Sequence, residues 1–340
     1  MTPDLTVVIP YYNRADTVPL VLESVARAGR GLRLEVVLVD DGSAVPAAEA
    51  LRGQPHPPDQ IIRQENQGLL FARLRGLEAA QGGYVLFLDS DDLVGAEKFS
   101  AQLAAMRAAG AQVSYTDVAH AELRTPYDSI VPDATIDVAE DTTDAATFFI
   151  RVQPAPHSPV FATAWLRTIV AQPLFPPAPA FNPVAEIWFY HIAATTPARV
   201  VKVPGPHTIV GRHGGARLTN HWEKLGVASL GVMEAFDRAC PRTAATAAAR
   251  ELLAVKAFAS WRALPPDFLP EFDERLLALW RRNFHGSPGS LGGSSFHRLA
   301  RFLGSVTAGR LIRRWSRPAY AACRTAESAE VRGWLAQLPA

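Results

Sequence analysis

The chain has 340 residues, of which 48% are hydrophobic and 20% charged, and its net charge is +1. That balance is globular, long enough for one large domain or two of ordinary size, and it excludes a disordered chain or one that binds nucleic acid by overall charge. No run of 18 apolar residues occurs, which excludes an ordinary membrane span, while Cys240 and Cys323 match no zinc spacing and Met1–Leu5 carries no leader-like pattern. The expected setting is a reducing, cytoplasmic one.

Thr6–Pro10 reads as a first buried strand stopped by proline, and Tyr11-Tyr12-Asn13-Arg14 as the polar loop after it. Asp16 or Thr17 can cap a helix with apolar residues at Val18, Leu22 and Val25, ending near Gly29. Glu35–Val39 is a second strand, ended by Asp40-Asp41-Gly42-Ser43. A short helix at Ala47–Leu51 and a short strand at Ile61–Arg63 follow, and Asn66-Gln67-Gly68 opens an alanine- and leucine-rich helix through Ala80. Tyr84–Leu88 is a further buried strand, and Asp89-Ser90-Asp91-Asp92 follows it directly. Helix Phe99–Ala109 and strand Gln112–Thr116 come next, then an irregular acidic stretch over 119–145. Order resumes at Thr147–Val152, with a helix from Ala162, a proline-rich loop over 173–183, a helix Glu186–Ala194 and a late strand Arg199–Val203. Pro204 then leads to Arg212-His213-Gly214-Gly215. Helices Trp222–Ala239, Ala244–Ala263 and Leu269–Asn283 fill the C-terminal third, before a Gly/Ser break near 285–295 and a basic end.

Strands alternating with helices at this pace predict an α/β fold, a mostly parallel sheet with helices on both faces. Ligands of such sheets bind beyond the carboxyl ends of the strands, so Asp40, Asp41, Asp89 and Asp91 are expected to line one crevice. Three carboxylates within four positions, fixed by a rigid strand, repel one another, and a divalent cation relieves that cost. The alternative is a strand end whose acids cap the next helix.

Four stretches, in order, resemble the family-2 glycosyltransferases, inverting enzymes of the GT-A, nucleotide-diphospho-sugar transferase fold: Val7–Asn13, Val37–Ser43, Asn66 through Gly76, and Asp89–Asp92. The resemblance is firm over about residues 5–115 and looser to about 220. It implies a GT-A domain over 1–219, with a nucleotide half to about 115 and an acceptor half beyond, followed by a helical region over 220–340. It implies that Pro10, Tyr11, Tyr12, Asn13, Asp40, Asp41, Gly68, Arg73, Asp89 and Ser90 serve the donor nucleotide. Asp41, with Asp40 second, would take the base N–H and Asp89 the ribose. Asp91 would hold Mn²⁺ or Mg²⁺ on the diphosphate, and His213, in the late Arg-His element, would ligate the metal or contact phosphate. Arg73 is alternatively a surface arginine and His213 a surface-loop histidine.

An inverting transfer needs one general base. The family's acidic pair at the start of a helix is reduced here to Ala185-Glu186, which makes Glu186 the candidate, with Asp141 and Asp144 in competition and a helix-dipole role as the alternative. Trp165 and Trp188 are candidate acceptor platforms, or else core residues. The expected partners are a nucleotide-diphospho-sugar, with a UDP-sugar favoured, and a glycan or lipid-linked acceptor; no nucleic acid is expected.

One other enzyme class, a non-enzymatic signalling domain and a binding module compete. A sugar nucleotidyltransferase needs a glycine-rich basic loop after the first strand, which Pro10–Asn13 lacks. A receiver-type signalling domain ends near 120 residues and wants a lone acceptor aspartate. A degenerate protein that only binds nucleotide sugar stays open because of Ala185. From Phe284 to Ala326 there is no acid, while Arg298, Arg301, Arg310, Arg313, Arg314, Arg317 and Arg324 alternate with Phe296, Leu299, Phe302, Leu303, Val306, Leu311, Ile312 and Trp315. That pattern fits a basic amphipathic helix resting peripherally on an anionic membrane, or a helix packed on the rest of the chain.

Overall fold

The computed structural model describes residues 2–214 and 220–339, and it divides into two compact units. Gly215 and the expected boundary at residue 219 lie outside the described residues. The first unit holds 2–148, 152–173 and 196–214; the second holds 149–151, 174–195 and 220–339.

The first unit is built on β1 (Leu5–Tyr11), β2 (Leu34–Asp41), β3 (Gln60–Gln64), β4 (Tyr84–Phe87), β5 (Leu93–Val94), β6 (Val113–Glu122), β7 (Val160–Ala162) and β8 (Val200–Arg212). They form one sheet in the order β3-β2-β1-β4-β7-β6-β8-β5. Pairings β1–β2, β1–β4, β2–β3 and β6–β8 are parallel, and β4–β7, β6–β7 and β5–β8 antiparallel. The expected α/β sheet is therefore parallel among β1–β4 and mixed beyond them. Helices α1 (Val18–Ala28), α2 (Ala47–Ala50), α3 (Leu69–Ala79), α4 (Lys98–Ala109) and α5 (Thr163–Ala171) accompany it. Leu5, Val7 and Ile9 of β1 pack with Val21, Val25, Leu38 and Leu86, whereas Val37 and Val39 pack with Ala72 of α3. A sheet covered on both faces needs near-continuous apolar strands, which is what β1, β2 and β4 supply.

Two of the differences from expectation matter for the site. Asp40 and Asp41 lie inside β2, paired with Arg63 and Gln64 of β3. Strand β8 does not stop at Pro204. It pairs with β6 over Val200–Val203, slips past Pro204 and Pro206 at a register shift, and pairs again from Thr208 to Arg212. Proline cannot donate to a ladder, so the bulge falls where the prolines are. Strand β6 is correspondingly longer and takes up the first residues expected to be irregular.

The second unit contains α6 (Ala185–Ala193), α7 (Trp222–Ala239), α8 (Ala247–Ala263), α9 (Pro270–Asn283), α10 (Ser294–Leu303), α11 (Ser305–Ser316), α12 (Tyr320–Cys323) and α13 (Ser328–Ala336). The basic end is thus two helices, α10 and α11, broken at Gly304, rather than one. Arg313 is no surface cation: it is buried, pairs with Asp273 at 2.6 Å, donates to the Leu264 and Pro265 carbonyls and lies 5.0 Å from the Trp261 ring centre. Phe296 is buried too, while Phe302 and Trp315 are 83% and 72% exposed. No helix among the described residues is long and apolar enough to cross a membrane.

Candidate active site at the strand ends

At the end of β1, Pro10 and Tyr11 are buried within the strand, so of the Pro10–Asn13 group Tyr12 offers the exposed ring. Asn13 adopts φ +51°, and the turn is held because its Oδ1 accepts the Ala44 N–H at 2.9 Å and its own N–H donates to Ser43 Oγ at 3.0 Å. Asparagine is among the few non-glycine residues that tolerate this region, because its short side chain can bond locally.

Asp40 is fully buried. Its carboxylate accepts the Ser43 and Ala47 N–H groups, each at 2.9 Å, and Arg63 Nη1 at 2.6 Å. Burial raises its pKa, but those N–H groups and Arg63 outweigh it and hold the carboxyl below the usual range. Asp40 builds the turn after β2 and is not exposed to a ligand, which corrects its place as second choice for the nucleobase. Asp41 carries Asn66-Gln67-Gly68: it accepts Gln64 Nε2 at 2.8 Å and the Gln67 and Gly68 N–H groups at 2.9 and 2.8 Å. Gly68 sits at φ +95°, which glycine enters without strain, and α3 begins directly after it. Arg63 and Gln64 were passed over in the sequence. Their signal was cross-strand position, legible only once the β2–β3 register is known.

Arg73 is not a surface arginine. It is 1% exposed, and its Nη2 donates to Asp89 Oδ1 at 2.6 Å, so it holds Asp89 in place from beneath. Ser90 is buried, its carbonyl accepting Thr17 Oγ1 at 2.7 Å, which ties the acidic loop to the start of α1.

Asp91 has the most unbalanced surroundings. Burial and the neighbouring Asp92 and Asp89 charges push its pKa up, against a hydrogen bond from His213 and the Arg14 charge. His213 Nε2 lies 2.9 Å from Asp91 Oδ2, and Arg14 Nε 3.7 Å from the same oxygen. The sequence pair Asp91 and His213, 122 positions apart, is therefore brought together. The carboxylate oxygen suits Mn²⁺ or Mg²⁺, the imidazole nitrogen favours a transition-metal ion such as Mn²⁺ over Mg²⁺, and the 2.9 Å spacing fits adjacent ligands of an octahedral ion bound at about 2.1 Å. No group of three or more candidate metal ligands occurs among the described residues. Magnesium-type ions bound through one or two protein groups commonly take the rest of their shell from substrate phosphates and water.

Glu186 lies in the first turn of α6, in the second unit. Trp188, on the same helix, is fully buried against Phe189 with ring centres 5.0 Å apart. It has no free face for a sugar, which corrects the platform reading. Trp165 is half-buried, donates to the Pro197 carbonyl at 3.3 Å and lies nearly parallel to Phe161. Asp144 caps the Thr147 N–H at 2.7 Å.

Residues 6–135 match the family model described as glycosyl transferase family 2. The succinoglycan biosynthesis protein ExoO of Rhizobium meliloti (strain 1021) is 39% identical over 113 residues, which are 33% of this chain and 32% of that protein. The putative teichuronic acid biosynthesis glycosyltransferase TuaG of Bacillus subtilis (strain 168) is 32% identical over 133 residues, 38% of this chain and 52% of the relative. The chain thus spans between about a third and a half of these relatives' length. A crystal structure of S. aureus TarS 1-349 in complex with UDP-GlcNAc superposes over 92% of this chain and 91% of that one, with TM-score 0.62 at 16% identity. At that identity the likeness is one of fold.

Proposed function

We propose that this chain, whose residues 6–135 match the glycosyl transferase family 2 model, transfers a sugar, with inversion, from a nucleotide-diphospho-sugar to an acceptor hydroxyl. The single observation that carries this reading is Asp91: a half-buried carboxylate among carboxylates, met by His213, at the strand ends where such sheets bind ligands. The nucleoside would lie against exposed Tyr12, with Asp41 toward the base and Asp89 toward the ribose, Asp89 being oriented by Arg73. Asp91 and His213 would hold Mn²⁺ or Mg²⁺, which when bound would offset the charge growing on the departing diphosphate. Glu186 is the assigned base, to take the acceptor proton as the new glycosidic bond forms. The names of ExoO and TuaG support a glycan or lipid-linked acceptor in polysaccharide or cell-envelope synthesis.

Calorimetric titration of UDP, with and without Mn²⁺, tests the donor site. Tighter binding with the metal supports the reading, and indifference to both nucleotide and metal rejects it. Donor hydrolysis and transfer, compared with and without acceptor glycans, separate an enzyme from a protein that only binds sugar nucleotides.

Peripheral contact with the inner membrane face belongs to the same reading. Phe302 and Trp315 are exposed beside Arg298, Arg301, Arg310, Arg314 and Arg317, and each cation near an anionic surface adds on the order of 1 kcal/mol, screened by salt. Co-sedimentation with phosphatidylserine vesicles should be weak, fall with salt, and fall again in Phe302→Ser/Trp315→Ser. Binding that ignores both changes rejects the contact.

A further inference from the structure

We infer that His157 is a positioning residue for the Asp91–His213 pair, acting through Asp92 and the β8 backbone; the inference rests on the transferase reading above. His157 lies beyond the residues that match the family model, and nothing in its sequence neighbourhood marks it. It is fully buried. Its Nδ1 is 3.1 Å from Asp92 Oδ2, off the line of a good hydrogen bond, and its Nε2 is 3.2 Å from the Ile209 carbonyl oxygen, to which it donates. Asp92 in turn accepts the Gly211 N–H on Oδ1 at 2.9 Å. The Asp92 carboxylate thus ties the loop that carries Asp91 to the strand segment that delivers His213, and the His157 ring, anchored on Ile209 of that strand, stands against the carboxylate.

The two segments meet at close range. A Cβ on Gly211 would stand 2.2 Å from the Asp91 carbonyl oxygen, far inside contact distance, so β8 passes directly over the Asp91 backbone and only glycine permits it. His213 is two residues further along. A shift of β8 away from the acidic loop would carry His213 off Asp91; the β5–β8 ladder at Leu93–Ile209 and Val94–Thr208 resists it on the backbone side, and Asp92, with His157 packed against it, adds the side-chain link nearest His213.

The imidazole is itself held on a rigid base. Lys98 Nζ and Gln102 Nε2 both donate to the Ser158 carbonyl, at 3.0 and 3.1 Å, and Ser158 Oγ closes a two-way exchange with the Thr116 backbone at 2.9 and 3.0 Å. Lys98 also donates to Thr208 Oγ1 at 2.9 Å, on β8. All five residues are fully buried. Outer groups that orient a metal ligand typically change metal affinity by about 10–100-fold when removed; His157 acts one step further out, on His213 through the β8 backbone and on Asp91 through Asp92.

The test is His157→Phe, which keeps a planar ring and removes both nitrogens, read by UDP calorimetry with and without Mn²⁺ and by the loss of free-Mn²⁺ electron paramagnetic resonance signal on titration. The expected result is a fall of about 10–100-fold in Mn²⁺ affinity and in the metal-dependent gain in UDP affinity, with metal-free UDP affinity unchanged. Unchanged Mn²⁺ affinity overturns the inference. So does an equal loss in metal-free and metal-dependent binding, which marks a general packing role. If His157→Phe does not fold, Asp92→Asn is read in the same way, since it removes the charge facing His157 and keeps an acceptor for Gly211. A parent protein with no Mn²⁺ effect overturns the metal reading itself, and this inference with it; a responsive parent and a parent-like variant overturn only this one.

Discussion

Asp237 is a buried carboxylate and Asp91 a half-buried one, and the chain provides for them in opposite ways. Around Asp237, Arg250 Nη2 stands at 2.5 Å, Arg282 Nη2 at 2.8 Å and Asn283 Nδ2 at 2.8 Å, with Arg242 at 3.5 Å. These partners come from α8, α9 and the turn after α7, so the acid fastens the end of α7 to its neighbours. Asp91 has two carboxylates beside it, one histidine, and a single arginine at 3.7 Å. An acid balanced by several cations from its own chain serves the fold. An acid left among acids holds a position that a bound cation can complete, at a standing cost to the fold.

That contrast is broken or kept by paired substitutions, and their effects are the largest expected. Asp91→Ala should abolish transfer and the metal dependence of UDP binding, while urea unfolding shows stability unchanged or raised. Asp237→Ala should do the reverse: stability falls by about 3–5 kcal/mol, because buried arginines lose their counter-charge, and UDP binding by the folded protein stays intact. Equal loss of stability in the two variants would erase the distinction.

Glu186→Gln comes next in size. As the assigned base, Glu186 should contribute roughly 10²–10⁴-fold to the chemical step, with donor affinity and unfolding midpoint unmoved, since a first-turn amide keeps the helix start almost as well. Single-turnover rates with saturating donor measure it. A rate within a few-fold of the parent removes Glu186 from the role and returns Asp141 and Asp144 to consideration.

The nucleotide half was readable because its signals are local. Apolar runs that close on Pro10-Tyr11 and Asp40-Asp41, or just before Asp89–Asp92, mark strand ends to within a residue or two without reference to any distant residue. What could not be read depended on pairing. Arg63 opposite Asp40, Arg73 beneath Asp89 and His157 behind Asp92 are set by register and packing, and their local sequences look like ordinary surface or core positions. The end of β8 was missed for a related reason: Pro204 and Pro206 are strand breakers in isolation, and only the bulge opposite β6 lets the strand resume. In the basic end, nothing local distinguishes Arg313 from the other arginines, because its partner Asp273 lies forty positions away.

The smallest effect sharpens the contrast within the second unit, where a buried group lacks a partner rather than having several. His191 is 1% exposed, edge-on to Phe236 with ring centres 5.5 Å apart. Its Nδ1 faces the Ile187 carbonyl at 2.8 Å and so bears the proton of the neutral ring, while Nε2 has no hydrogen-bond partner. Burial, despite the Ile187 bond and aided by the nearby Lys256 charge, lowers its pKa to about 4. The unfolded chain protonates near the ordinary 6.5, so the stabilisation is whole above that pH and is lost as pH falls from about 6.5 toward 4. By linkage the loss is about 2 kcal/mol at pH 5 and about 3 kcal/mol at pH 4. Urea midpoints of the full chain at pH 7.5 and 5 should therefore differ by about that much more in the parent than in His191→Leu, which has no ring to protonate. Equal differences in the two proteins would mean that acid enters elsewhere first, with carboxylate pairs such as Asp237 and its arginines the next place to look.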